Sequence, residues 1–284
     1  MRNQGREIVP IVRDRQSADE WVSWDTSANT FDAQALGGCD AVVHLAGESV
    51  MGRWSAEKKQ RIHDSRVKST RALAQTLAGL ESGPRTLIVA SAIGIYGDTG
   101  QGDARTEDDP PAGKDRDFLA DVCVQWEAAA DPARQAGIRV VHVRIGIVLS
   151  PKGGALKQML LPFKLGLGGR VGSGTQWMSW IGLHDLTRVF LSCLDSTEIS
   201  GPVNAVAPQP VTNTQFTKAL GRVLKRPALL PVPAFAIRLL YGKDCADATA
   251  LSSIRVAPKR LQEAGFVFDF ADLDAALSHE LGQG

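Results

Sequence analysis

Thr86-Leu-Ile-Val-Ala-Ser-Ala-Ile-Gly-Ile-Tyr-Gly97 is the stretch whose reading decides the fold. Leu87 to Ser91 are apolar and small, β-branched in the middle and too few for a helix, which predicts a buried strand. Gly94 and Gly97 end it, leaving small side chains and one tyrosine at the carboxyl end. In open α/β sheets that edge is where ligands bind.

Outward from this strand the same unit recurs. Cys39-Asp-Ala-Val-Val-His-Leu-Ala-Gly47 is a second strand running into glycine, and Ile138 to Arg144 is a third. Glu7 to Val12 reads as a strand ending at Arg13, and a short strand is expected at Trp21–Trp24. Ser55 caps a predicted long helix from Ala56 to about Leu80, with Ile62, Leu73, Leu77 and Leu80 at helical spacing. Its basic residues read as a solvated face. Further helices are expected over 115–135, 156–165, 183–194 and 213–224, with a strand at Val203–Val206. The alternation of strand and helix predicts an α/β fold, a Rossmann-like doubly wound parallel sheet. Residues 1–210 are expected to form it, and 211–284, opening with Pro227, Pro231 and Pro233, a small C-terminal substrate-side α/β lobe with two helical patterns.

Composition narrows the function. The chain has 284 residues, and Lys+Arg 32 against Asp+Glu 31 gives a net charge of +1, so no bulk charge recruits nucleic acid or anionic membrane. The four cysteines are scattered with no metal-ligand spacing, which reads as reduced thiols in a cytoplasmic protein. No apolar run reaches membrane-spanning length and no signal peptide is evident. The glycines do not supply G-x-G-x-x-G. Gly94, Gly97 and Gly100 make one G-x-x-G-x-x-G, but the polar, proline-containing run to Pro111 cannot open a helix toward a phosphate.

The residues from Gly5 to Arg13, Asp40 to Glu48, Arg53-Trp54, Asp64-Ser-Arg66, Ser91 to Gly97, Asp117 to Cys123, Trp126-Glu127, Leu161 to Gly169, Gly172-Ser-Gly174, Gln176 to Ile181, Gly201 to Pro208 and Arg255 to Arg260 carry a resemblance. The chain resembles the extended short-chain dehydrogenase/reductase superfamily, in its epimerase-family-protein branch of nucleotide-sugar-epimerase-like proteins. In that family a strand, a glycine loop and a helix come first, and this sequence joins at the end of that helix. The missing strand is expected between those at Glu7–Val12 and Leu87–Ser91. Its loss would leave buried backbone groups unpaired at about 1–3 kcal/mol each, against a typical stability of roughly 5–15 kcal/mol. The expectation is therefore a reading frame that begins upstream of Met1.

The resemblance implies a nicotinamide dinucleotide and a small-molecule substrate. Arg13 stands where an acid would hold an NAD ribose and a base accommodates a 2′-phosphate, so NADP is expected rather than NAD; a surface arginine capping a strand is the plainer alternative. Leu45, Ala46 and Gly47 are small or apolar residues at a strand end where backbone must approach a cofactor. The resemblance places cofactor contacts at Leu45, Ala46, Arg66 and Val148, with Ala90 and Ser91 under the nicotinamide. Arg66 suits a phosphate and could equally be one more helix charge.

The superfamily's catalytic set does not match. Neither of the two tyrosines has a lysine four positions on, since Tyr96 is followed by Gly100 and Tyr241 by Cys245. Matching the helix by Trp126-Glu127 puts Leu119 at the tyrosine site and Cys123 at the lysine site, and Ala92 falls at the serine site. Leu119 moves no proton, and Cys123 reads as a packed thiol. Ser91 and Tyr96 are the remaining catalytic candidates, with a packed turn residue as the alternative for Tyr96. His184 reads as a helix-start residue rather than a base. No metal constellation is evident. The expectation is an NADP-dependent oxidoreductase or epimerase-like protein acting on a small substrate, with a catalytically silent NADP-binding sensor or interaction protein as the alternative.

Overall fold

The computed structural model describes residues 5–12, 22–25, 28–113 and 116–282. Arg13 lies outside them. In chain order the elements are β1 (Ile11–Val12), β2 (Val22–Asp25), β3 (Thr30–Phe31), α1 (Ala33–Leu36), β4 (Ala41–His44), α2 (Ala56–Asp64) and α3 (Val67–Ala78). Then come β5 (Thr86–Ala92), α4 (Phe118–Ala128), α5 (Asp131–Gln135), β6 (Arg139–Ile145), β7 (Ile147–Leu149), α6 (Gly154–Lys164), β8 (Trp177–Met178) and β9 (Trp180–Gly182). The chain ends with α7 (Leu183–Asp195), β10 (Gly201–Ala205), β11 (Val211–Thr212), α8 (Asn213–Leu224), α9 (Ala234–Tyr241), α10 (Lys243–Ala248), α11 (Lys259–Glu263) and α12 (Leu273–Glu280).

The central sheet has the order β10-β6-β5-β4, all parallel. β5 runs as the sequence predicts, one residue longer at each end, and its side chains alternate between two cores. Leu87 and Val89 pack with Leu73, Leu77 and Trp126 on the α3/α4 face. Ile88 packs with Val189, Phe190 and Leu261 on the α7/α11 face. A strand buried on both faces reads as a continuous apolar run, which is why this one was legible. A third core joins Leu149, Leu156, Phe163 and Trp180 to Phe216, Leu220 and Leu277, so residues of 149–180 share apolar packing with the tail.

Several expectations are corrected. Within Glu7–Val12 only Ile11–Val12 pairs, and it pairs with β2 in a small separate sheet. β5 has β4 on one side and β6 on the other, so no strand fits beside it next to 7–12; among the described residues the edges of the central sheet are β4 and β10. The long helix after Ser55 is two helices, divided at Ser65-Arg66. Ser65 Oγ donates to Ile62 O at 3.1 Å and accepts from the Glu48 amide at 2.9 Å, so a loop seventeen residues upstream pins the turn. The 115–135 helix is likewise two, α4 and α5, and the tail from 228 holds four helices rather than two. Among the described residues no helix is long and apolar enough to cross a membrane.

Candidate functional site

The carboxyl ends of β4, β5 and β7 form one edge of the molecule. β4 gives way to Leu45, exposed at 63%, then to half-buried Ala46 and exposed Gly47. A Cβ at Gly47 would lie 3.1 Å from the Arg66 guanidinium, so the glycine lets that charge close on the strand end. Arg66 Nη1 donates to Glu48 O at 2.9 Å and Ile62 O at 3.2 Å, and its guanidinium lies 5.2 Å from the centre of the Trp126 ring. Burial pulls the Arg66 pKa down from its ordinary value, yet a guanidinium remains charged in proteins. Trp126 is itself fixed by a 2.9 Å bond from Nε1 to Thr70 Oγ1. Val148 is half-buried on β7, beside Ile181 of β9.

Below this edge Ser91 and Tyr96 enter a buried polar chain. Ser91 Oγ donates to Glu127 Oε1 at 2.8 Å. Arg144 meets Glu127 through Nε and Nη2, both at 2.8 Å, and donates from Nη1 to the Tyr96 hydroxyl at 2.8 Å. The Tyr96 hydroxyl is 2.9 Å from Thr106 O and 3.0 Å from Asn204 Oδ1, its two possible acceptors. Burial works against the Glu127 charge, but Arg144, His142 and Ser91 together hold its carboxyl below the usual range. Tyr96 goes the other way: burial raises its pKa although Arg144 opposes. Ser91 is 3% exposed and Tyr96 6%, so both hydroxyls serve the interior, and Ala90, also buried, lies on the same strand. The sequence singled out Ser91 and Tyr96 but missed their partners, which lie far away in the chain; Trp126-Glu127 was the one visible pointer.

α4 carries the two superfamily positions that differ. Leu119 is half-buried, and Cys123 is buried with its pKa pushed up to about 12 by burial, with Glu127 adding to the rise. A thiol that stays protonated at neutral pH is a packing group. Gly94, Gly97 and Gly100 lie in a tight turn and the loop after it, with the Thr99 amide bonded to Ser253 O at 2.7 Å, and the next helix begins only at Phe118. His184 is the second residue of α7, as expected. It joins Asp185 and Asp269 within 4.8 Å, where Asp185 accepts from Arg188 and from the Asp269 and Phe270 amides. Those bonds tie the tail to α7. A cavity of about 620 Å³ lies at the other, amino end of β4 and β5, lined by Gly37, Asp40, Ser82 and Arg85.

A family model described as the NAD dependent epimerase/dehydratase family matches residues 1–205. This chain belongs to that family. A second model, a domain of unknown function (DUF1731), matches residues 232–280 of the same epimerase-family chain. The chain is 41% identical over 280 residues to epimerase family protein Mb2239 of Mycobacterium bovis, covering 98% of this chain and 91% of that one. It is 37% identical to epimerase family protein YfhF of Bacillus subtilis, covering 97% and 90%. Among solved structures, human epimerase family protein SDR39U1 (isoform 2) with NADPH superposes with a TM-score of 0.86 at 31% identity, covering 99% of this chain and 92% of that one. A nucleoside-diphosphate sugar epimerase from Corynebacterium glutamicum gives 0.78 at 35%, covering 98% and 53%. The fold is thus Rossmann-like, and binding of a nicotinamide dinucleotide comes with the family.

Proposed function

We propose that this protein is an NADPH-binding oxidoreductase or epimerase-like enzyme whose small substrate lies between the carboxyl edge of the sheet and the 211–284 lobe. The observation that carries the reading is the edge at Leu45-Ala46-Gly47: open backbone and short apolar side chains, with the half-buried Arg66 guanidinium close against Gly47. These residues fit the flat, anionic body of a dinucleotide. Leu45, Ala46, Gly47 and Val148 would flank it, Arg66 would supply positive charge, and Ala90 and Ser91 would lie beneath the nicotinamide. The preference for the 2′-phosphate is assigned to Arg13. The NADPH carried by the human relative supports that choice of cofactor. The bound cofactor would supply hydride chemistry.

For this chain's own residues the proposed roles follow from their partners. Glu127 holds Ser91 Oγ in place, and Arg144 holds the Tyr96 hydroxyl; both candidates then act as a buried brace beneath the cofactor edge rather than as a tyrosine–lysine proton donor. One observation favours a second reading, a dinucleotide-binding sensor without turnover. Leu119 and a Cys123 thiol with a pKa of about 12 stand where the superfamily has tyrosine and lysine, so this pair provides no proton transfer.

Fluorescence titration with NADPH and NADH, followed by NADPH oxidation across a panel of carbonyl compounds, separates the readings. NADPH is expected to bind more tightly than NADH, and Arg13→Ala to cut that preference about tenfold, the worth of one charged hydrogen bond. An unchanged preference in Arg13→Ala removes the NADP assignment. Tight NADPH binding without oxidation by any carbonyl favours the sensor, and no dinucleotide binding defeats both.

A further inference from the structure

We propose that this protein docks on the surface of anionic lipid bilayers through a basic, leucine-bearing face built from α6, the turn that follows it and the loop ahead of α9. The proposal is independent of the cofactor reading.

The charge pattern carries it. Over the whole chain the charges balance to +1, but they are not evenly spread. No Asp or Glu occurs between Asp131 and Asp185, nor between Glu198 and Asp244. These two acid-free runs meet on one face. On α6, Leu156, Leu160 and Phe163 are buried in the core, while Lys157, Leu161, Lys164 and Leu165 recur at helical spacing on the outside. A Cβ on Gly166 would lie 3.6 Å from Pro227, and the Leu230 amide donates to Gly168 O at 3.2 Å. The turn after α6 therefore lies beside Lys225-Arg-Pro-Ala-Leu-Leu-Pro231.

Lys157, Lys164, Lys225 and Arg226 are all exposed, and among the described residues none has a side-chain hydrogen bond or ion pair. Interspersed with them, Leu161, Leu165, Leu167, Leu229 and Leu230 are each more than half exposed. Isolated exposed leucines are ordinary, but leucines gathered among unpaired cations mark an interaction surface.

This combination selects a bilayer as the occupant. Cations meet anionic headgroups at the level where apolar side chains enter the acyl boundary. At that depth lipid offers nothing to a bare amide, so the backbone must be satisfied from within. Here it is. The amides of Leu165, Gly166 and Leu167 donate to Leu161 O, Phe163 O and Pro162 O at 3.2, 2.9 and 2.9 Å. A second copy of the chain would set one acid-free face against another, and like charges brought together repel. A nucleic acid would use the cations and leave the leucines in water.

Cosedimentation of the full chain with lipid vesicles tests this. Binding is expected to vesicles of phosphatidylcholine mixed with phosphatidylserine, weakened by salt, and far weaker to phosphatidylcholine alone. Lys157→Ala, Lys164→Ala and Arg226→Ala should each weaken it about fivefold, the equivalent of roughly 1 kcal/mol per cation near the surface. Leu229→Ser combined with Leu230→Ser should weaken it more than tenfold, with an unchanged thermal midpoint showing that the variant is folded. No binding to the anionic vesicles overturns the proposal. Binding that the double leucine variant keeps and that duplex DNA displaces overturns it too, since the cations alone would then form a polyanion site. Self-association in sedimentation velocity that the leucine variant disperses overturns it in favour of a contact between copies.

Discussion

A methyl group at position 47 would press on Arg66, moving its guanidinium by a few tenths of an ångström. With glycine there, the guanidinium reaches the end of β4, caps two carbonyls and faces the edge proposed for the cofactor. The next residue inward, His44, shows the opposite treatment of a titratable group. Its Nε2 lies 3.2 Å from Ser69 Oγ, whose own proton goes to Ser65 O at 2.7 Å, so His44 must donate and is neutral with the proton on Nε2. Burial brings its pKa down to about 4 from 6.5. Above pH 6.5 neither the folded nor the unfolded chain protonates here and the full stability is present. As pH falls from 6.5 toward 4, the unfolded state takes up a proton that the folded state refuses, and stability is lost. The shift corresponds to about 3 kcal/mol over that window. His44→Gln keeps a donor to Ser69 without the titration. Urea midpoints measured from pH 7 to pH 4 should therefore fall less steeply in the variant, and parallel profiles would rule out His44 as the source.

At the scale of elements, β6 and α4 are held together by charge as well as by apolar packing. The Arg144–Glu127 pair is buried, with side chains 5% and 14% exposed, and Arg144 donates once more to Tyr96 while Glu127 accepts once more from Ser91. Removing one partner of such a pair leaves an uncompensated charge, whereas replacing both by apolar groups is often neutral. Arg144→Met is expected to cost about 3–5 kcal/mol, and Arg144→Met combined with Glu127→Leu to recover most of it. Urea unfolding of the single and double variants checks this; a single variant within about 1 kcal/mol of the parent would show that Tyr96 and Ser91 need no such anchor. None of this chain of bonds was visible in sequence, because its members are separated by up to 108 residues. What could be read were elements whose cause is local: β5 from its unbroken apolar run, α8 over its full span Asn213–Leu224, and the small-residue edge at 45–47 from its glycine. The break between α2 and α3 escaped because no proline or glycine makes it. The Glu48 amide, reaching Ser65 from the β4 loop, does.

At the scale of the whole molecule, the tail from 228 is attached to the segment before β8 by backbone meeting backbone. The segment 168–172 runs against 230–232, with the Leu230 amide on Gly168 O, the Val232 amide on Arg170 O at 2.8 Å and the Gly172 amide on Val232 O at 2.9 Å. The approach is so close that a Cβ on Gly169 would sit 1.7 Å from Leu230 O, a backbone atom that cannot swing aside. Gly169→Ala must push the two segments apart, at about 1–3 kcal/mol by the usual cost of overpacking. The sheet, whose strands lie in other cores, has no reason to respond. Hydrogen exchange should then show the Leu230 and Val232 amides losing protection while Val140 to Val143 keep theirs, with NADPH affinity unchanged. Equal loss of protection in the sheet would mean that tail and sheet unfold as one cooperative unit.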